Sequence, residues 1–223
     1  MGTWKPNRQG RVMLGAMLAA VVALTIAGGA GGAVARADGA WLDQQPLQNW
    51  NQPGMPIPHA PVVPAGEGDI RQGDFPPTCL GTIRQPQTDE DSAVAARGWH
   101  LVGAFQGGYG AMIVIGTSSF DGMCRPVGFQ EFVFFHQTFI GTISPQLMDS
   151  RTDGVVQDVN ISPSFSGMTP AAPSLTASFS RYTPDDALCC PSAVSTVNYE
   201  IQRTPQGWVL VPGDVRTMPT SNQ

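Results

Sequence analysis

The feature that most constrains the fold is a series of short β-rich runs between Trp99 and Pro212. Turn residues such as Gly, Pro, Asn and Asp separate these runs. Runs of this length and spacing are typical of strands in antiparallel sheets. The eight predicted strands are WHLVGAF, AMIVIG, GFQEFVFFHQ, TFIGTIS, GVVQDVNIS, SLTASFSRY, AVSTVNYEI and GWVLVP. GFQEFVFFHQ is apolar at both alternating sets of positions, which favours a central strand. QGGYG predicts a hairpin turn between the first two strands.

One helix is marked ahead of the strands, in TDEDSAVAARGW. Thr88 is a suitable N-cap, three acidic residues follow it in the first turn, and Gly98 ends the segment. The sequence therefore predicts an α+β domain, mostly antiparallel sheet with one N-terminal helix, or a sandwich with a covering helix. We place this domain at residues 78–219, followed by a tail at 220–223.

The N-terminal residues 1–37 have the composition of a signal peptide. Lys5, Arg8 and Arg11 precede an uncharged apolar run, and Ala35-Arg36-Ala37 forms a small-x-small cleavage pattern. Cleavage there makes Asp38 the first mature residue, with no membrane span left. The alternative is a retained anchor, because the apolar run approaches the roughly 20 residues that a spanning helix needs. Several glycines in the run disfavour such a helix.

Residues 38–77 are rich in Pro, Gln and Asn and are predicted to form a linker. Their prolines recur too often for a helix or a central strand, and they favour an extended, polyproline-like conformation. Trp41, Trp50 and Met55 are unusual in a purely solvated linker. These three residues indicate partial docking on the domain or contact with a partner.

The charge of the chain excludes one class of function. The sequence has 12 Lys+Arg and 17 Asp+Glu, and removal of the leader leaves 8 basic and 17 acidic side chains, a net charge of −9. Such acidity opposes binding to the phosphates of nucleic acid and docking on anionic lipid. We therefore expect no nucleic-acid partner.

Cysteine occurs at four positions, Cys79, Cys124, Cys189 and Cys190. In an exported chain they predict two disulfides. A bond within the adjacent pair is disfavoured, because bridged Cα atoms usually lie about 4.4–6.8 Å apart. If Cys189 and Cys190 lie in extended backbone, their side chains face opposite ways. We therefore predict a crossed pairing, in which Cys189 and Cys190 each bind Cys79 or Cys124. Which of the two crossed pairings forms stays open.

Other chemistry finds little support in the sequence. The cysteines lack the C-x-x-C spacing of a redox site and the paired spacing of a zinc site. A hydrolase could combine His136 with Ser144 or Ser150 and Asp149, but no G-x-S-x-G signature accompanies them. DSRTDG has Arg151 where a calcium loop needs an oxygen ligand. We predict no catalytic residues, no metal site and no cofactor.

Four segments of the chain resemble the LppP/LprE lipoprotein family of mycobacteria and related actinobacteria. These segments are DGMCRP, FVFFHQTFIGT, RYTPDDALCCPS and VNYEI with the later GWVLVP. The resemblance covers roughly residues 99–219 and implies an exported cell-envelope protein of undefined biochemical role. Family members named as lipoproteins have a lipidated cysteine, whereas this chain has Asp38 there. That departure implies a secreted, extracytoplasmic or wall-associated protein.

Leader, linker, cysteines and resemblance together predict a non-enzymatic binding or structural module of the cell envelope, with an unknown envelope partner. The alternative function is a carrier of an apolar, lipid-like ligand held between the strands and the helix. A run of aromatic residues suggests that ligand site: Phe129, Phe132, Phe134, Phe135 and Phe139. A hydrolase is the third hypothesis.

Overall fold

The structure is a computed structural model that describes residues 1–2, 40–61, 77–150, 155–166, 168–187 and 189–220. The predicted leader and its cleavage before Asp38 lie outside the described residues. The same holds for residues 62–76 of the predicted linker, for residues 151–154, which include Arg151, and for the last three residues.

The described residues form two short 3₁₀ helices, one α-helix and nine strands. The 3₁₀ helices are Ala40–Asp43 and Pro77–Thr82, and α1 is Asp89–Ala95. The strands are β1 His100–Gly108, β2 Ala111–Phe120, β3 Pro126–Phe135, β4 Thr138–Thr142, β5 Met148–Asp149, β6 Val155–Ser166, β7 Thr169–Arg181, β8 Ala193–Thr204 and β9 Gly207–Pro219. Eight of them coincide with the predicted runs, and β5 is additional.

The strands form two antiparallel sheets, which confirms the predicted fold class. The first sheet has the order β1-β2-β3-β4, and the second has the order β6-β7-β8-β9. β5 pairs with β3 on the edge that β4 also uses, opposite Val127 and Phe129. β3 is therefore the central strand of the first sheet, as its apolar sequence predicted.

The two sheets pack face to face around an inner core. Alternate residues of β2 and β3 point toward the second sheet, because side chains along a strand alternate between its faces. The inner core contains Ile113, Phe129, Val133 and Phe135 from the first sheet and Leu175, Phe179, Val197, Tyr199 and Leu210 from the second. The domain is thus a sandwich.

The opposite face of the first sheet supports a smaller, outer core. Val114, Phe132 and Phe134 of this face pack against Val94 of α1. The helix begins as predicted, with the Thr88 side chain accepting a hydrogen bond from the Asp91 amide. β3 is apolar on both faces because the second sheet covers one face and the helix covers the other.

Residues 40–61, predicted as part of a linker, pack against the sheets. Trp41 and Leu42 are buried in the inner core, and the ring of Trp41 meets Phe179 edge-on at 5.2 Å between centroids. Further along, Met55 and Ile57 pack on the outer core. Trp41 and Leu42 precede the first proline of the segment, and Met55 and Ile57, which lie between later prolines, are half-buried. These residues belong to the domain fold, which therefore includes residues before position 78.

Asn51 joins the two sheets through the same segment. Its side-chain amide donates to the carbonyl oxygens of Thr142 in β4 and Leu210 in β9, at 3.1 and 3.2 Å. Its side-chain oxygen accepts from the Thr142 amide at 2.8 Å. Asn51 is 3% exposed, so these bonds are shielded from water, and each contributes about 1 kcal/mol to stability.

The disulfides differ from the predicted crossed pairing, which is wrong. Cys79 bonds Cys124, with their Cα atoms 5.1 Å apart. Cys189 bonds its neighbour Cys190, with their Cα atoms 3.8 Å apart. The prediction assumed that Cys189 and Cys190 lie in a strand and face opposite ways. They lie instead in the loop between β7 and β8, outside both strands, with Cys189 in a turn.

Candidate functional site

The main candidate site is a cleft of about 300 Å³ beside β1. Apolar side chains form much of its wall, and polar side chains also line it. The apolar residues include Val102, Ile115, Phe120 and Phe129, and the polar residues are Thr82, Gln106, Glu131 and Ser150. We call this site the β1 cleft.

A bulge in β1 shapes the cleft. Val102 pairs with Ile115 and Gln106 pairs with Ile113, so three residues of β1 lie opposite a single residue of β2. Gly103 starts the bulge with φ +73, and a Cβ at this position would lie 3.1 Å from Cδ1 of Ile115. Glycine is therefore needed there for both the conformation and the close approach. The bulge also leaves Phe105 56% exposed.

Glu131 is the acidic residue of the cleft. It lies on β3 opposite Ile115, between Phe129 and Val133, which both belong to the inner core. Its position in the alternation directs its side chain to the same face, and the residue is 3% exposed. A carboxylate placed among apolar side chains carries a large desolvation cost. An acidic side chain thus occupies a position of β3 where the alternation of the strand predicts an apolar residue.

Tyr199 of β8 lies within the electrostatic reach of Glu131. Its hydroxyl donates to the Ile143 carbonyl oxygen at 2.6 Å, and the Ile143 amide donates to the Glu131 carbonyl oxygen at 3.1 Å. Burial, together with the charge of Glu131, raises the pKa of Tyr199 well above its usual value. Tyr199 therefore stays protonated at physiological pH and serves as a hydrogen-bond donor.

Because its walls contain both apolar and polar side chains, the β1 cleft can bind a small molecule that has both apolar and polar parts. Its volume is at the lower end of the range for ligand sites, which is about 300–1,000 Å³. The Glu131 carboxylate can accept hydrogen bonds from an ammonium, guanidinium or amide group. The apolar side chains can cover the hydrocarbon part of the same molecule.

Two other clefts lie elsewhere in the described part of the chain. One, of about 480 Å³, is lined by Glu90, Met112 and His136. Glu90 lies in the first turn of α1, where a negative charge stabilises the helix dipole, so its position has a structural reason. The other, of about 260 Å³, lies between Trp41, Trp50 and the segment after β4.

The residues proposed for a hydrolase do not assemble. His136 follows the end of β3, whereas Asp149 pairs with Val127 near the start of that strand. At about 3.3 Å per residue, the two positions are roughly 30 Å apart along the strand. Ser150 donates its hydroxyl to the Pro126 carbonyl at 2.7 Å, and the Ser144 hydroxyl accepts from the Gln146 amide.

The other two histidines lie at separate places. His59 contacts Arg97 at 3.1 Å between side-chain nitrogens. His100 begins β1, and burial lowers its pKa, which favours the neutral ring. In the described residues, no group of three or more His, Cys, Asp or Glu side chains is arranged to hold a metal ion.

The phenylalanines predicted to line a lipid-like site are distributed over both cores. Phe132, Phe134 and Phe139 pack together in the outer core, with ring centroids 5.6–6.2 Å apart for the pairs that include Phe139. Phe129 and Phe135 belong to the inner core. Of the five, Phe129 lines the β1 cleft.

Sequence reasoning overlooked Glu131 and the bulge. A usable signal was present, because Glu131 is the one charge within the apolar run GFQEFVFF. A charge inside a predicted central strand is rarely tolerated without specific partners or a function. Gly103, in the middle of the first predicted strand, indicated a bulge in the same way.

Among the described residues, no helix has both the length and the apolar composition to span a bilayer.

Comparison with known proteins gives a match to a family model. A family model described as LppP/LprE lipoprotein matches residues 110–204, from the β1–β2 turn to the end of β8. The match includes Glu131 and the Cys189–Cys190 pair. No curated protein and no solved structure matches the chain. A family of lipoproteins indicates a location outside the cytoplasm or on a membrane. The match confirms the predicted resemblance to the LppP/LprE lipoprotein family over residues 110–204.

Proposed function

We propose that the protein is a non-catalytic binding module of the cell envelope and that the β1 cleft is its ligand site. The observation that carries this proposal is the Glu131 carboxylate, 3% exposed, in the wall of an otherwise largely apolar cleft. The family supports a location outside the cytoplasm. Wall association and release by leader cleavage are parts of the proposal that rest on the sequence.

A binding role explains the site better than a structural role does. Burial of a carboxylate costs several kcal/mol before its interactions compensate, and an apolar residue of similar size would fill the same place at less cost. The bulge at Gly103 likewise interrupts pairing between β1 and β2 and opens the cleft. Buried charged groups and interrupted strand pairing of this kind are found at functional sites.

The ligand class follows from the walls of the cleft. A cationic or N–H-rich head group can bind Glu131, with Gln106 as a further polar partner. A short hydrocarbon part can pack on Val102, Ile115 and Phe129. The negative net charge of the protein also attracts cations. We therefore propose a small amphipathic cation as ligand.

A lipid carrier has less support. Its predicted site required a cavity among the phenylalanines, whereas four of those five side chains fill the cores without lining the β1 cleft. A non-catalytic role is supported by the separation of His136 from Asp149 and Ser150.

The proposal predicts saturable binding of primary alkylammonium ions to the purified protein. Butylammonium and hexylammonium are suitable probes in isothermal titration calorimetry, and the alcohols of equal length test for apolar contact alone. Glu131→Gln should weaken binding at least tenfold, because a hydrogen bond to a charged partner contributes about 1.5–3 kcal/mol. Glu200→Gln, which changes an exposed acid on β8, is the matched control and should bind like the parent.

Circular dichroism and thermal melting establish that both variants are folded. The proposal fails if no alkylammonium ion binds saturably to the parent. It also fails if the folded Glu131→Gln variant binds as tightly as the Glu200→Gln control.

A further inference from the structure

A second feature, separate from the β1 cleft, is the disulfide between Cys189 and Cys190. We propose that this pair is a surface site of thiol–disulfide exchange. It cycles between disulfide and dithiol by reaction with external dithiols and disulfides, while the Cys79–Cys124 bond remains intact.

Accessibility separates the two disulfides. Cys189 and Cys190 are both exposed, whereas Cys79 is 0% exposed and Cys124 is half-buried. Exchange begins when a thiolate approaches a disulfide sulfur, so its rate depends on access to that sulfur. The Cys189–Cys190 bond can be attacked from solvent without any opening of the fold.

The adjacent position of the two residues gives their bond little structural purpose. A disulfide stabilises a fold mainly by joining segments that are distant in sequence. Cys189 and Cys190 are neighbours, and the strands on either side of their loop are already paired at Arg181 and Ala193. The bond thus links no segments that the sheet does not already hold together.

Hydrogen bonds hold the ends of the loop independently of the disulfide. The Asp186 carboxylate accepts from the amides of Thr183 and Ser192, at 2.7 and 2.9 Å. The Thr220 amide donates to the Ser192 carbonyl at 2.8 Å, which ties the loop to the end of β9. The Cys190 amide donates to the Ala187 carbonyl at 2.8 Å inside the loop. After reduction, this frame keeps the two thiols adjacent and ready to form the bond again.

The reaction needs an external dithiol as reductant. One thiolate of the dithiol attacks Sγ of one cysteine, the Cys189–Cys190 bond breaks, and the second sulfur leaves as a thiolate that takes up a proton. The other thiol of the reductant then displaces the bound cysteine and closes its own disulfide. The protein gains two electrons and two protons, and the dithiol loses the same. An external disulfide reverses these steps.

The test is stepwise reduction of the folded protein with dithiothreitol, followed by alkylation with N-ethylmaleimide and peptide mass spectrometry. We expect two adducts, on Cys189 and Cys190, at dithiothreitol concentrations that leave Cys79–Cys124 bonded. Glutathione disulfide added after removal of the dithiol should restore the unlabelled protein. The Cys189→Ser/Cys190→Ser double variant should take up no label over the same range.

Two results would overturn the proposal. One is labelling of Cys79 and Cys124 at the same or lower dithiol concentration, which would make the adjacent pair no more reactive than the Cys79–Cys124 bond. The other is loss of amide protection at Thr183 and Ser192 when Cys189–Cys190 is reduced, measured by hydrogen exchange. That loss would mean that the loop needs its disulfide and that the frame does not keep the thiols together.

Discussion

The two disulfide loops share one local design. In the β2–β3 loop, one carboxylate oxygen of Asp121 accepts from the amides of Met123 and Arg125, both at 2.9 Å, and Cys124 lies between these two residues. In the β7–β8 loop, the Asp186 carboxylate likewise accepts hydrogen bonds from the amides of Thr183 and Ser192, which lie on either side of the cysteine pair. In both loops an aspartate fixes the backbone that carries the cysteines.

The two loops differ in what each disulfide connects. Cys124 bonds a residue 45 positions away, and Cys79 lies in a small apolar cluster with Val102 and Phe120. Cys189 bonds its neighbour on the surface. On the chain-entropy estimate, the longer loop contributes about 4 kcal/mol to stability and the two-residue ring about 1 kcal/mol. The contribution of each disulfide to stability therefore depends on how far apart its cysteines lie in the sequence and on how deeply they are buried.

The largest effect is therefore expected for the Cys79→Ser/Cys124→Ser double variant. It should lower the free energy of unfolding by about 4 kcal/mol, because the unfolded chain regains the freedom that this bond removes. Urea unfolding followed by circular dichroism measures the loss. Cys189→Ser/Cys190→Ser is the matched control, with an expected loss of about 1 kcal/mol. Equal losses in the two double variants would contradict the contrast between the loops.

A smaller effect is expected for Asp121→Asn, which tests the aspartate in the loop that joins distant segments. Asp121 is 6% exposed, and its second carboxylate oxygen accepts from Nε of Arg125 at 2.7 Å. Burial raises the pKa of Asp121, but the hydrogen bonds from Arg125 and the Met123 amide outweigh it and leave that pKa below its usual value. The substitution should cost about 1–3 kcal/mol at pH 7.

The pH dependence gives a second readout for this variant. A carboxylate with a lowered pKa in the folded protein contributes its full stability above the pKa of the unfolded chain, and that contribution is lost as pH falls through the folded pKa. The difference between parent and Asp121→Asn should therefore shrink below about pH 4. Asp214→Asn, an exposed change on β9, should show no such difference. A difference independent of pH would show that the charge of Asp121 is not its source.

The strands and the helix start could be predicted because their signals are local. Each strand has its own apolar run, and Thr88 precedes three acidic residues in the sequence itself. The β1–β2 turn is equally local, since Tyr109 and Gly110 both adopt the positive φ that a tight hairpin requires. None of these features needs information from another part of the chain.

The remaining features depend on contacts between distant residues. Asn51 binds Leu210, 159 positions away, and nothing near Asn51 in sequence indicates that partner. The proline-rich composition around Asn51 predicted a linker, because such a composition indicates an extended backbone but does not indicate whether the segment packs against the domain. The disulfide pairing failed for a similar reason, since it depends on which loops meet in space. Glu131 was visible as a charge in an apolar strand, but the cleft that gives it a role depends on the bulge in β1.

The smallest effect, confined to one loop, is expected for Asp186→Asn. Hydrogen bonds from the Ser192 hydroxyl and the Thr183 amide lower the pKa of Asp186 from 3.8 to about 2. In the parent, the amide chemical shifts of Thr183 and Ser192 should therefore titrate with a midpoint near pH 2, because the carboxylate accepts from both until it is protonated. The variant should lack this titration, and its melting temperature at pH 7 should stay close to that of the parent, since the loop is on the surface.

The Asp186→Asn variant should also regain the Cys189–Cys190 bond more slowly after reduction, because a looser loop holds the thiols adjacent for less of the time. A midpoint near pH 4, or reoxidation as fast as in the parent, would remove Asp186 from the frame and with it the parallel to Asp121.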